Sequence, residues 1–245
     1  MRFIRRLALA FAVIYLLPVL GSAAYWTVRE RPGSWREADW SSAGILPAAE
    51  DSRPAAIYVF SAATGGFKGA VASHAWIVTK DEGAAGYNRY DKVGWGNPIR
   101  RNGYAPDGRW YSNAPRTVLA MTGPGAARLI PKVEAAIASY PYAKPGGYRI
   151  WPGPNSNTFV AHVLREVPEL GVVLPPDAVG RDYLPDGKLF SVDADGRDMH
   201  LTLNGLIGLS AGVRSGFEVH VLGLVAGIDV MRPALKLPGI GRIGI

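Results

Sequence analysis

A chain of 245 residues, 48% hydrophobic and 19% charged, is composed to fold, with length for one sizeable core and an extension. The absence of cysteine excludes disulfides, thiolate metal sites and a cysteine nucleophile, and leaves the redox compartment open. A net charge of +7 suits a basic surface beside anionic phospholipid; the basic residues are scattered rather than gathered in a run, and nucleic acid is not expected as a partner.

Residues 1–28 begin with Arg2, Arg5 and Arg6 ahead of an uncharged run from Leu7 to Val28. A secretory leader needs an apolar stretch of only about 7–15 residues, and "LALAFAVIYLLPVL" followed by the small residues Gly21 to Ala24 meets that pattern. The run continues through Tyr25, Trp26 and Val28, reaching the roughly 20 residues that cross a bilayer, with aromatics where an interfacial belt would sit. An uncleaved transmembrane anchor is therefore favoured over a signal peptide. Either reading places the rest of the chain on the periplasmic side of the cell inner membrane, with the three arginines inside and the lipid bilayer as a partner. Residues 29–54 are polar, contain proline and lack a clear period, which predicts a linker leading away from the membrane; Trp35 and Trp40 are expected to dock on the domain.

The pattern changes at residue 55. "AIYVFSA" (56–62), "HAWIVTK" (74–80) and "TVLAMTG" (117–123) are rich in β-branched and aromatic residues and predict strands. "GYNRYDKVGW" (86–95) predicts a weaker strand, paired with 74–80 as a hairpin. The loop 95–111, "WGNPIRRNGYAPDGRWY", interleaves arginine with aromatics; it reads as a surface loop with the chemistry to grip an anionic headgroup or glycan. A helix starts near Pro124, or later because of Pro131, with Leu129, Val133, Ala136, Ile137 and Tyr140 on one face. A short strand is expected at 147–151. A second helix follows, striped by Phe159, Val160, Val163 and Leu164 and ended by Pro168. Residues 55–190 thus form one domain. Residues 191–245, after a loop-like stretch, predict a glycine-rich β-hairpin turning at Arg214-Ser215-Gly216; Glu218, His220 and Asp229 argue against a second membrane span.

Between the last predicted strand and the second helix lies "WPGPNSNTFVAHVL" (151–164). The cluster Asn155, Ser156, Asn157, Thr158 is what N-capping requires, because the first amide N–H groups of a helix need oxygen acceptors. On local sequence Ser156 reads first as a cap. If Asn155 caps instead, the Ser156 hydroxyl is free in the first turn. Among the four histidines, His74 opens a predicted strand, His162 lies on the polar side of its helix, in solvent, and His200 and His220 fall in the C-terminal hairpin. No pair has zinc-helix spacing, "VDADGRD" (192–198) lacks the closing acid of a calcium loop and reads as a turn, and "ATGGFKG" (63–69) lacks phosphate-loop spacing. No metal or cofactor is expected.

The order of a strand beginning "SHAW", further strands, a helix, and "NSNTFV" opening the next helix resembles the circularly permuted papain-like group, which includes NlpC-type peptidases and lecithin-retinol acyltransferase relatives. The likeness covers roughly residues 55–170. It implies an α+β fold, an antiparallel sheet with two packed helices, carrying here an N-terminal membrane helix and a C-terminal β-hairpin. It further implies His74 as base and Ser156 as nucleophile, since Asn155, Ser156 and Phe159 match the family's Asn-Cys-x-x-Phe with serine at the cysteine position. The third site residue is a polar group on the strand after the histidine, Asn88 or Asp91, with Arg89 and Tyr87 as substitutes. The whole chain also resembles a bacterial envelope family defined only as a domain of unknown function.

Serine has a physical consequence. A helix N-terminus favours an adjacent anion by about 0.3–1 kcal/mol, enough to matter for a thiol but not for an alcohol. The proton of Ser156 must be taken by a true general base within about 2.6–3.2 Å, and backbone N–H groups at the helix start would form the oxyanion hole. The expected function is a membrane-anchored, periplasm-facing hydrolase or acyltransferase acting on an envelope amide or ester, lipid or peptidoglycan, through Ser156, His74 and Asn88 or Asp91. The alternative is a non-catalytic relative with a binding or scaffolding role, supported by the absence of cysteine.

Overall fold

The computed structural model describes residues 1–244. It is α+β, with two antiparallel sheets and an apolar N-terminal helix. Helix α1 runs through Arg2–Val28, with a π-helical turn at Ala12–Leu16, and is long and apolar enough to cross a membrane.

The first sheet has the order β4-β3-β2-β1-β5, from Ala56–Ala63 (β1), Ser73–Lys80 (β2), Asn88–Lys92 (β3), Ile99–Arg101 (β4) and Arg116–Thr122 (β5). The hairpin of β2 and β3 forms as expected; β4, only three residues long, falls inside the loop expected to be irregular. Helices α2 (Pro124–Ala138) and α3 (Ser156–Glu166) bury their apolar stripes on one face of this sheet. Ile130, Val133 and Ile137 meet Phe159, Val160 and Val163 over Ile57, Val59 and Ile77. Helix α2 starts at Pro124 and carries Pro131 in its interior, on the exposed side.

The opposite face of the sheet has its own core of Phe60, Trp76, Val78, Val93 and Trp110. Residues 29–54 cover it, which corrects the expectation of a linker leading away. Trp40 stacks on Tyr104 and meets Trp110 edge-on, and Asp107 accepts hydrogen bonds from the Ser42 hydroxyl and from the N–H groups of Ile45 and Leu46. Trp35 stays exposed.

Three further expectations are corrected. Residues 147–151 form no strand: Gly146 and Gly147 turn the chain, Pro152 and Pro154 remove ladder donors, and the Arg149 N–H donates to Pro154 O instead. His162 is half-buried, its Nε2 within 3.1 Å of Ala136 O on the neighbouring helix. The C-terminal region is no hairpin but a seven-stranded meander in the order β12-β11-β10-β9-β8-β7-β6. Its strands are Phe190–Val192 (β6), Asp198–Leu203 (β7), Ile207–Gly212 (β8), Gly216–Val221 (β9), Leu224–Asp229 (β10), Ala234–Leu237 (β11) and Gly241–Gly244 (β12). The predicted turn at Arg214-Ser215 joins β8 to β9; β7 and β8 turn at the positive-φ pair Asn204-Gly205, and β9 and β10 at Leu222-Gly223, which sits among apolar residues.

This second sheet turns its polar face inward. Arg214 is clamped by Asp193, Asp195 and Asp198, so "VDADGRD" is a turn whose carboxylates hold a guanidinium. Glu218 binds Arg181 and Lys236, His200 bonds Ser210 and Asp193, and His220 lies 2.9 Å from Asp182. Arg181 and Asp182 belong to the segment after α3, so buried ion pairs join the two sheets.

Candidate active site

Asn155 is the residue that starts α3. Its Oδ1 accepts from the N–H groups of Asn157 and Thr158, and the Thr158 hydroxyl accepts from the Asn155 N–H, a reciprocal capping box. The Asn155 amide also donates to Ile150 O and Val179 O, fixing the turn that leads into the helix. Ser156 is therefore not the cap. It occupies the first helical position, and among the described residues its hydroxyl accepts no capping hydrogen bond.

One residue further on, Asn157 donates from Nδ2 to Ser73 O and Val179 O, both at 2.8 Å. This buried amide ties the start of α3 to the residue preceding His74. As a result Ser156 and His74 line one cleft of about 720 Å³, with Trp95, Tyr148, Trp151 and Leu224 among its walls and Lys68 near its rim. No hydrogen bond joins the Ser156 hydroxyl to the His74 ring: the two groups line the same cleft, and the direct contact expected of serine and base is not made.

Strand register decides the third member. Val78 pairs with Arg89, so Arg89 and Asp91 share a face with Trp76 and His74, whereas Asn88 pairs with Thr79 on the other face. Asp91 Oδ1 lies 2.9 Å from His74 Nε2, and Arg89 grips the same carboxylate through Nε at 2.8 Å and Nη2 at 2.9 Å. Asn88 instead accepts from Arg101 and Asn102, at the far edge, and is not part of the site. Tyr87 points to Pro47 O. A carboxylate only accepts, so Nε2 carries the imidazole proton and Nδ1, which has no hydrogen bond, is the basic nitrogen.

Two supporting residues lie in the loop expected to be a surface feature. Trp110 is buried and stacks on His74, ring centroids 3.6 Å apart and nearly parallel. Ala105 O accepts from Arg89 Nη1, and the Arg89 guanidinium lies over Trp76. The interleaving of arginine with aromatics marked this segment, but only the fold turns it towards the histidine.

Burial depresses the His74 pKa; Asp91 opposes that shift and Arg89 adds to it, and the outcome lies below the ordinary 6.5. Burial would raise the Asp91 pKa, but the charge of Arg89 and the bond to His74 override it and hold the carboxyl below 3.8. The resting state is thus a neutral imidazole on an ionised carboxylate, the protonation a general base needs at neutral pH. The helix start contributes less than expected: Asn155 occupies the N–H groups of Asn157 and Thr158, which leaves the Ser156 N–H as its unbonded donor to an oxyanion.

Residues 54–183, more than half of the chain, match the family model described as Protein of unknown function (DUF3750). The chain belongs to this family. The DUF3750 region begins just before β1 and ends at Tyr183. It therefore contains the first sheet, α2, α3, His74, Asp91 and Ser156, and excludes α1 and the second sheet. No curated protein and no solved structure matches the chain.

Proposed function

We propose that this DUF3750 protein is a membrane-anchored hydrolase or acyltransferase, of the permuted papain-like kind with serine as nucleophile, acting on an envelope amide or ester. Ser156 attacks the carbonyl carbon, His74 Nδ1 takes its proton and returns it to the leaving group, and Asp91, held by Arg89, orients the ring and stabilises its cationic form. The observation that carries the reading is one cleft lined both by a helix-start serine, relieved of capping by Asn155, and by a buried histidine whose Nε2 is bound to a carboxylate. The aromatic and aliphatic walls, Tyr148, Ile150, Trp151 and Leu222, favour a substrate with an apolar portion, and the basic anchor region favours one close to the membrane.

The test is a fluorophosphonate probe on the folded full chain. Labelling at Ser156 is expected, abolished in Ser156→Ala, lost in His74→Ala and reduced at least about 100-fold in Asp91→Asn, the scale of general-base contributions. Because protonation disables the base and the His74 pKa is depressed, the labelling rate should decline as pH falls, with its midpoint below the ordinary histidine value of 6.5. A folded protein that fails to react, or that reacts equally without His74, leaves the binding or scaffolding role.

A further inference from the structure

The second sheet is inverted relative to a soluble layer. One face is lined with buried charge, as described above. The other carries no charged side chain on any strand. Cross-strand partners on it run Phe190–Leu201–Leu209 in one row and Phe217–Ile228–Leu235–Ile243 in another. Apart from Leu209 at 41%, each of these is between 46 and 54% exposed. Even the turns, where polar residues are the rule, present Leu222, Val230 and Met231. Soluble monomers rarely expose an apolar patch above a few hundred Å², so this face meets something other than water.

Helix α1 indicates what. Residues 1–11 are exposed throughout, whereas from Tyr15 onward the helix is docked. The Tyr15 hydroxyl donates to Val219 O, the turn at Ala12–Leu16 lies against β10, Ser22 donates to Gly239 O, and Trp26 Nε1 donates to Gly66 O. Val219 and Ala226, on the apolar face, are the residues this contact shields. From Tyr15 to Trp26 is about 17 Å of helix, close to half of a ~30 Å hydrocarbon core. Whatever an apolar helix touches midway along its length shares its medium. Around the rim, Lys188, Arg197, Arg232 and Arg242 are exposed, the last two beside the buried carboxylate of Asp229, against exposed Asp186 and the Arg214-bound Asp195; the remaining positive excess complements anionic headgroups.

We infer that the outer face of the seven-stranded sheet is a lipid-contacting surface, packed beside α1 and seated in the acyl chains of the leaflet that carries the domain. The sheet, which lies outside the family-matched region, is a second membrane attachment that fixes the orientation of the domain. This holds whether or not Ser156 is a nucleophile.

The chain lacks cysteine, so single-cysteine variants carry one fluorophore each. The full chain is reconstituted in phosphatidylethanolamine–phosphatidylglycerol vesicles, labelled with a nitrobenzoxadiazole probe at Leu201→Cys, Phe217→Cys or Leu235→Cys. Leu20→Cys on the exposed side of α1 serves as the lipid reference and Arg128→Cys on α2 as the water reference. The three sheet positions are expected to be quenched by doxyl-labelled lipid as strongly as Leu20→Cys and protected from iodide. Quenching by iodide to the extent seen at Arg128→Cys overturns the inference. Protection from both quenchers also overturns it, in favour of a second copy or another protein covering the face.

Discussion

Asn155 and Ser156 are adjacent, polar and both acceptable caps, yet the structure gives them separate roles. Asn155 Oδ1 accepts from two helix-start N–H groups and its Nδ2 donates to two carbonyls, with the residue 4% exposed. Its replacement by alanine should cost about 1–2 kcal/mol, the upper part of the range for a lost cap, because the carbonyls of Ile150 and Val179 each lose a donor as well. Ser156→Ala removes a hydroxyl that accepts no capping hydrogen bond and should change stability by less than about 0.5 kcal/mol. Urea unfolding of the two variants checks this; equal losses would mean that Ser156 caps after all and is not free for chemistry. At the same scale, Asp91 was legible as a candidate but not separable from Asn88, because alternation along a strand shows that the two differ in face without showing which face holds the histidine. Asn157 and Trp110 were not legible as site residues. An asparagine in a first turn and a tryptophan in a loop have many ordinary uses, and only their contacts with Ser73 and His74 give them this one.

Elements followed the sequence where periodicity was strong. β1, β2, β5, α2 and α3 stand within a residue or two of their expected limits; β1, β2, α2 and α3 each bury an apolar face, and β5 packs Leu119 and Met121 partly buried against the same core. The C-terminal elements did not. Seven short strands with one face wholly apolar read as fewer, longer apolar segments, and two strands were expected. Their other face is held by charge. Arg214 bridges Asp193, Asp195 and Asp198, with Asp198 fully buried. Removing one partner of such a cluster leaves charge without solvent, so Arg214→Ala is expected to destabilise by roughly 3–5 kcal/mol. Amide hydrogen exchange should show β7, β8 and β9 losing protection before β1 and β2; uniform loss across both sheets would mean that the clamp is not local to the second sheet.

At the scale of the whole molecule, Arg181 and Asp182 in the segment after α3 are joined to Glu218 and His220 of the second sheet. Burial pulls the His220 pKa down, but Asp182 and Glu218 outweigh it and lift it to about 9 from an ordinary 6.5. A pKa raised by folding stabilises fully below 6.5, and that contribution is lost as pH rises through about 9, a change on the order of 3 kcal/mol. Thermal unfolding at alkaline pH should therefore show a loss of stability that His220→Gln lacks; identical pH profiles would remove His220 from the junction. Sequence by itself determined that the chain has an apolar N-terminal helix, an α+β domain from about residue 55, and a histidine and a helix-start serine within it, because these depend on local pattern and composition. The tertiary structure decided that Asp91 rather than Asn88 faces His74, that residues 29–54 cover the sheet, and that the last strands turn their charge inward and their apolar face out. Each of those depends on which face of an element meets another, a relation between distant segments that no local window contains.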